Sequence, residues 1–258
     1  MKIIQSRDNS FFKELTKLSG SSRQRGKVNQ TMLDGAHLLA AYLDAGLLPQ
    51  QVLVNVSAAH DAEIVRLFNR IGNVPVTQLD DKLFAELSEL KTPTGILALI
   101  DIPQPAASIA DSRFALLLED IQDPGNLGSM LRSAAAAGCD AVFLSQGCAD
   151  AWSPKVLRAA MGGHFALRIY ERQDLPGVAK SFAGTLLATS LQATRSLYDC
   201  DLRGNVAFMI GNEGAGLSAD LLNLATQKIS IPMPGKIESL NAAAATSICL
   251  FEAVRQRQ

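Results

Sequence analysis

The sequence predicts an α/β protein in two parts. A mostly parallel C-terminal sheet carries helices on both faces, and a smaller α/β sandwich domain precedes it. Strand-like and helix-like stretches alternate on both sides of the chain's middle. Several strand-like runs, such as Ala115-Leu116-Leu117-Leu118, are continuously apolar, as in parallel strands buried on both faces. The alternation breaks at Asp101 to Ser108, where Pro103 and Pro105 discourage both helix and central strand. Residues 1–105 therefore form one domain, 106–112 a linker and 113–258 a second domain.

In the first part, Phe11–Leu18 and Ala36–Ala45 have helical spacing of apolar residues. Gln51–Val56 is strand-like, Ala59–Arg70 helical and Val74–Gln78 strand-like. Asp80 or Asp81 caps a helix running to Leu90, and Gly95–Ile100 is a strand. In the second part, Phe114–Ile121, Ala141–Ser145, Phe165–Tyr170, Thr185–Leu191, Val206–Ile210 and Lys228–Ile231 are strands. Helices near Leu127–Ala137, Pro154–Met161, Leu175–Phe182, Ala219–Ala225 and Leu240–Arg255 cover the faces of their sheet.

With 258 residues, 48% of them hydrophobic and 19% charged, the chain can bury a sizeable core. No apolar stretch is long enough to span a bilayer, and Met1 to Asp8 lacks a secretory apolar core. Cys139, Cys148, Cys200 and Cys249 form no CxxC pair, so reduced thiols in a cytoplasmic protein are expected. His37, His60 and His164 lack metal-ligand spacing, and no metal is expected. The net charge of −1 hides a split: Lys2, Arg7, Lys13, Lys17, Arg23, Arg25 and Lys27 face only Asp8 and Glu14 in the first thirty residues. A basic arm of this kind engages phosphates, so Arg7, Arg23, Arg25 and Lys27 are candidate phosphate contacts, against the plainer reading of a solvated helix face. Ser19 to Lys27 is Gly/Ser-rich, which predicts a flexible loop rather than a helix.

Three strand-to-helix junctions are rich in Gly and polar residues. They are Glu119-Asp120-Ile121-Gln122-Asp123-Pro124-Gly125-Asn126 with Arg132 further on, Ile210-Gly211-Asn212-Glu213-Gly214-Ala215-Gly216, and Ile231-Pro232-Met233-Pro234-Gly235-Lys236-Ile237-Glu238-Ser239-Leu240-Asn241. Ligands bind beyond the carboxyl ends of strands in open parallel sheets, so three such loops predict one composite site. Gly211, Gly214 and Gly216 place the dinucleotide fingerprint in the wrong order, and there is no GxxxxGK[ST], which argues against redox and NTPase chemistry. Each polar residue also has a plainer role. Ser239 and Asn241 suit a helix cap, Glu213 a solvated loop, and Arg132 a surface position.

Taken together, the three motifs resemble the SpoU/TrmH group of SPOUT RNA methyltransferases. The resemblance is specific from about Phe114 to the end and weaker before it, where the chain looks like that group's RNA-binding substrate domain. Ala242-Ala243-Ala244 stands where the group usually has a Val-Ser-Val-type run. The resemblance implies a trefoil-knotted fold, S-adenosylmethionine as cofactor, and methyl transfer to a ribose 2′-hydroxyl of structured RNA. Ribosomal RNA is expected over tRNA, and a fold-retaining, non-catalytic assembly factor is the rival reading. The resemblance assigns Asn126, Arg132, Glu213, Ser239 and Asn241 to catalysis. It assigns Thr189, Ser190, Leu191, Gly211, Ile231, Met233 and Leu240 to the cofactor. Guanidinium resists deprotonation, so a grip on the substrate phosphate suits Arg132 better than the role of base. The resemblance also implies a homodimer, and Leu240, Ala244, Ile248 and Phe251 form a candidate interface stripe on the last helix.

Overall fold

The computed structural model describes residues 2–90, 92–105 and 111–258. Most of the 106–112 linker thus lies outside the described residues. The chain divides into two units: residues 1–103 with 152–165, and residues 104–151 with 166–258.

The first unit contains β1 (Lys2–Ile4), α1 (Ser10–Gly20), α2 (Ser22–Val28), β2 (Gln30–Asp34), α3 (Ala36–Asp44), β3 (Gln51–Asn55), α4 (Ala62–Ile71), β4 (Val76–Leu79), α5 (Asp81–Leu87) and β5 (Ile96–Asp101). Its sheet runs β1-β4-β3-β5-β2, parallel through β3 and antiparallel from there. Phe12, Leu15, Leu18, Leu83, Phe84 and Leu87 of α1 and α5 pack with Leu53, Leu79 and Leu97 of the strands. Helix α4 starts at Asp61, whose side chain accepts from the Glu63 and Ile64 N–H groups, and α5 starts likewise at Asp80.

The expected loop at Ser19–Lys27 is instead helical. Gly20 ends α1, and Ser21 leaves helical geometry and accepts from the Gln24 N–H. Asn29 closes α2 in the left-handed region with φ 55°. Gly and Ser here are helix punctuation rather than signs of mobility. Arg25 correspondingly does not stand out toward solvent as a basic arm would. It is 5% exposed and donates to the Leu18 and Ser19 carbonyls at 2.7 and 2.8 Å, closing the end of α1. Arg7 is exposed but ion-paired with Glu86. Arg23 and Lys27 are exposed on α2.

The second unit holds β6 (Phe114–Leu118), α6 (Pro124–Ala137), β7 (Ala141–Leu144), β8 (Arg168–Tyr170), α8 (Leu175–Ser181), β9 (Thr185–Thr189), β10 (Arg195–Ser196), β11 (Val206–Ile210), α9 (Ala219–Leu224), β12 (Gln227–Ser230) and α10 (Ala242–Arg257). All its strand pairings are parallel, in the order β10-β12-β9-β11-β6-β7-β8. Every residue of β6, β7 and β11 is buried, which accounts for their unbroken apolar runs. α6 packs against α10, and α8 packs against α9 over Leu117, Phe143, Ala188 and Met209.

One helix is not where the alternation placed it. α7 (Pro154–Ala160) belongs to the first unit and packs on β2 rather than covering the parallel sheet. Trp152, Val156, Leu157 and Ala160 are buried there, and the Thr31 hydroxyl donates to the Trp152 carbonyl at 2.7 Å. Tyr42 meets Phe165 edge to face at 5.0 Å. An amphipathic helix between two parallel strands reads as a crossover, and its own apolar face does not say which sheet it covers.

Candidate active site

β6 and β11 are neighbours in the middle of the parallel sheet. The chain leaves β6 toward β7 on one side and leaves β11 toward β12 on the other. This is a topological switch point, where the loops diverge and leave a crevice. The first two Gly-rich motifs leave from these two strand ends.

α6 begins three residues earlier than the motif suggested. The Asp123 carboxylate accepts from the Asn126 N–H at 2.7 Å, and Pro124 opens the first turn. Asn126 therefore sits in the first turn, at the helix mouth. Its side-chain amide donates to Glu213 Oε1 at 2.5 Å, and its carbonyl oxygen accepts from the Asn241 amide at 2.9 Å. Asn241 also accepts from the Ala243 and Ala244 N–H groups at 2.9 and 3.2 Å, so it caps α10 and holds Asn126 at once. One residue from each motif thus joins a single hydrogen-bonded chain, Asn241–Asn126–Glu213. The two orienting partners leave Asn126 one free amide hydrogen, and Glu213 keeps a second carboxylate oxygen for a ligand.

Beside this chain lies a cleft of about 600 Å³, within the size range of small-molecule sites. Thr189, Ser190, Leu191, Gly211, Ile231, Met233 and Leu240 all line it, as do Glu213 and Ser239. Gly211 is irreplaceable on its wall, because a Cβ there would stand 2.2 Å from the Gly216 carbonyl carbon and 2.4 Å from the Leu217 nitrogen. Apolar Ile210, Ile231 and Met233 share the wall with polar Ser190, Gln192 and Ser230.

Arg132 lies apart. It is exposed on the third turn of α6, which starts at Pro124. Six residues separate it from Asn126, about 120° around the helix at 3.6 residues per turn. Within one chain it is therefore not part of the Asn126 cluster. The Cys148 and Cys249 thiols are poor nucleophiles. Burial pushes Cys249 up to about 12 and lifts Cys148 as well, and Cys148 donates to the Leu118 carbonyl.

The sequence profile of the SpoU rRNA Methylase family matches residues 113–251. The chain belongs to this family. Residues 9–98 match a second profile, the MRM3-like substrate binding domain. The 23S rRNA (guanosine(2553)-2′-O)-methyltransferase RlmP of Bacillus subtilis is 33% identical over 97% of this chain and 98% of its own length. The human mitochondrial rRNA methyltransferase 3 is 29% identical over 90% of this chain and 69% of its own length. Among solved family structures, the SpoU methyltransferase AviRb from Streptomyces viridochromogenes, in complex with AdoMet, has a TM-score of 0.85 at 28% identity. That match covers 96% of this chain and 98% of AviRb. An AdoMet-bound rRNA methyltransferase from Sinorhizobium meliloti gives a TM-score of 0.84 at 27% identity, covering 98% and 97% of the two chains.

Proposed function

We propose that this chain transfers a methyl group from S-adenosylmethionine to a ribose 2′-hydroxyl of structured RNA, and that the RNA is ribosomal. The observation that carries this reading is the Asn241–Asn126–Glu213 chain at the rim of a Gly-lined cleft. Membership of the family and the rRNA activity named for its relatives support the choice of RNA. Glycine backbone, mixed polar and apolar walls and the cleft's volume fit the cofactor. Thr189, Ser190, Leu191, Gly211, Ile231, Met233 and Leu240 would hold it.

Bound S-adenosylmethionine supplies a methyl carbon already activated by its sulfonium. The protein's task is then alignment, and holding reacting groups in line is worth roughly 7–11 kcal/mol. Asn126, with its amide fixed from both sides, orients the ribose hydroxyl, and Glu213 fixes Asn126. Ser239 and Asn241 order the third loop and the incoming nucleotide. Arg132, free on α6, grips the phosphate of the target. Arg23 and Lys27 add cationic contacts to the RNA from the first unit. Leu240, Ala244 and Phe251 are exposed and Ile248 half-buried, which supports a homodimer through α10. The four free cysteines suit a cytoplasmic setting.

Calorimetry with S-adenosylmethionine, in the presence of EDTA, tests the cofactor assignment. Binding unaffected by chelation is expected, and no binding at millimolar cofactor would remove it. Ribose-methylation mapping of RNA from a deletion strain tests the substrate. Loss of a methyl mark from rRNA is expected, and loss from tRNA alone would redirect the reading.

A further inference from the structure

For Asn126 and Glu213 to meet, two loops must stand in register. One follows β6 and the other follows β11, and the hydrogen bond between the two side chains spans 87 residues of sequence. At the strand ends the Glu119 N–H donates to the Ile210 carbonyl. Beyond that point, two side chains cross the gap. The Glu119 carboxylate accepts from the Ser218 N–H at 2.7 Å. The Asn212 side-chain amide donates to the Asp120 carbonyl at 2.9 Å.

Asn212 does two things with one amide. Its oxygen accepts from the Gly214 and Ala215 N–H groups at 2.8 and 3.1 Å, folding the turn that presents Glu213. Its nitrogen ties that turn to the loop that leads into Asn126. The receiving carbonyl is itself held in an uncommon place, since Asp120 has φ 54° without being glycine. Ser145 keeps it there: its hydroxyl donates to Asp120 Oδ1 at 2.6 Å and accepts from the Asp120 N–H at 2.9 Å. Gly147 closes the arrangement from the β7–α7 connection, because a Cβ there would stand 2.2 Å from Asp120 Oδ1. An uncommon backbone conformation fixed by its surroundings points to a positional requirement.

We propose that Asn212 is a positioning residue for methyl transfer, acting through the Asp120 carbonyl to keep Asn126 in register with Glu213. This rests on reading the cleft as a methyl-transfer site. Asn212 touches neither reacting atom in this role. It sets the distance between two loops, and misplacing aligned groups by about 1 Å is costly in rate.

Asn212→Asp isolates the bond. The variant keeps the acceptor for Gly214 and Ala215 but sets an oxygen against the Asp120 carbonyl. With S-adenosylmethionine bound, hydrogen exchange in residues 119–126 should rise while β11 stays protected. Single-turnover methylation of rRNA from a strain lacking this protein should fall by at least roughly tenfold. Cofactor Kd should stay within about threefold, because the turn lining the cleft survives. In the Asn126→Ala background, N212D should cost less than about twofold more, since both changes break one unit. Unchanged exchange, or rate losses that add, would overturn the inference. If the parent neither binds cofactor nor methylates RNA, the reading of the site fails and this inference falls with it. If N212D does not fold, Asp120→Ala against Asp120→Asn decides. Asn tolerates the left-handed region and keeps the Ser145 clamp, so only Asp120→Ala should lose rate. Equal rates would refute the role.

Discussion

At the scale of single residues, the site is a set of amides and carboxylates whose partners fix their orientation. Arg132 is the exception, exposed and outside the Asn126 cluster. The phosphate grip proposed for Arg132 needs such freedom. Arg132→Ala should therefore leave cofactor Kd nearly unchanged and lower turnover at least roughly 10²-fold, the scale for losing one positioned charged donor. Calorimetry and steady-state methylation read the two quantities separately. Asp34, in the first unit, shows the opposite situation. Burial lifts its carboxyl above the ordinary carboxylate range, against the lowering effect of the Ser88 hydroxyl and the Glu89 N–H that its Oδ2 accepts from. The folded state thus favours the protonated form, and the cost of ionising Asp34 is present above its folded pKa. As pH falls through that value the cost disappears. Asp34→Asn keeps an acceptor and removes the charge. Its thermal stability relative to the parent should rise as pH increases from about 4 to 7. A constant difference across that range would show that Asp34 carries no such cost.

At the scale of elements, α6 and α10 open on side chains that serve both the helix and the site. Asn241 can be split into its two functions. Asn241→Asp retains the cap but has no hydrogen to give the Asn126 oxygen, so the melting temperature should hold while turnover falls. Asn241→Ala loses both, and the lost cap costs about 1 kcal/mol. If Asn241→Asp melts like the parent and also turns over like it, Asn126 needs no holding. Much of this was legible in the sequence. The apolar runs of β6 and β11 and the Asn241 cap signal place the helix mouths within a few residues, whereas the Asp123-Pro124 start of α6 was passed over. β1 and β10 were not legible, because three-residue and two-residue strands carry no periodicity. β2 buries only Thr31, Met32 and Leu33, too short a run to stand out. The Ser19–Lys27 segment was misread because Ser and Gly mark helix ends as well as loops. Burial of an arginine by local carbonyls has no compositional signature. Asp120 and Asn212 escaped notice because they are ordinary loop residues by type. Only the fold brings together positions 92 apart.

At the scale of the whole molecule, the two units are not two consecutive pieces of chain. The first unit is completed by residues 152–165, so a fragment ending at residue 105 lacks one of the helices that cover β2. The Thr31 hydroxyl, fully buried, also loses the Trp152 carbonyl it donates to. Residues 1–105 alone should show weak thermal cooperativity by circular dichroism, and adding the 152–165 peptide should sharpen the transition. A sharp transition in the fragment alone would mean that α7 is dispensable. The charge split belongs to this scale too. With Arg25 buried and Arg7 paired, Arg23 and Lys27 are the members of the predicted set left to meet phosphate. Changing both to Ser should weaken RNA binding and reduce the slope of log affinity against log salt by up to about 2. A slope equal to the parent's would move the RNA surface elsewhere.

The detour of residues 152–165 also bears on how the chain is born. A ribosome delivers residues in order, and domains generally fold as they emerge, the first one first. Here the leading unit has all but its last helix once residue 103 is out. It then waits for sixty-odd more residues, roughly 3–12 s at ordinary elongation rates of about 5–20 residues per second. During that interval β6, α6 and β7 emerge, while β11, the other strand β6 pairs with, has not been made. The half-finished leading unit and a β6–β7 pair still open at both edges are thus exposed together, and this is the interval in which a nascent-chain chaperone has most to cover.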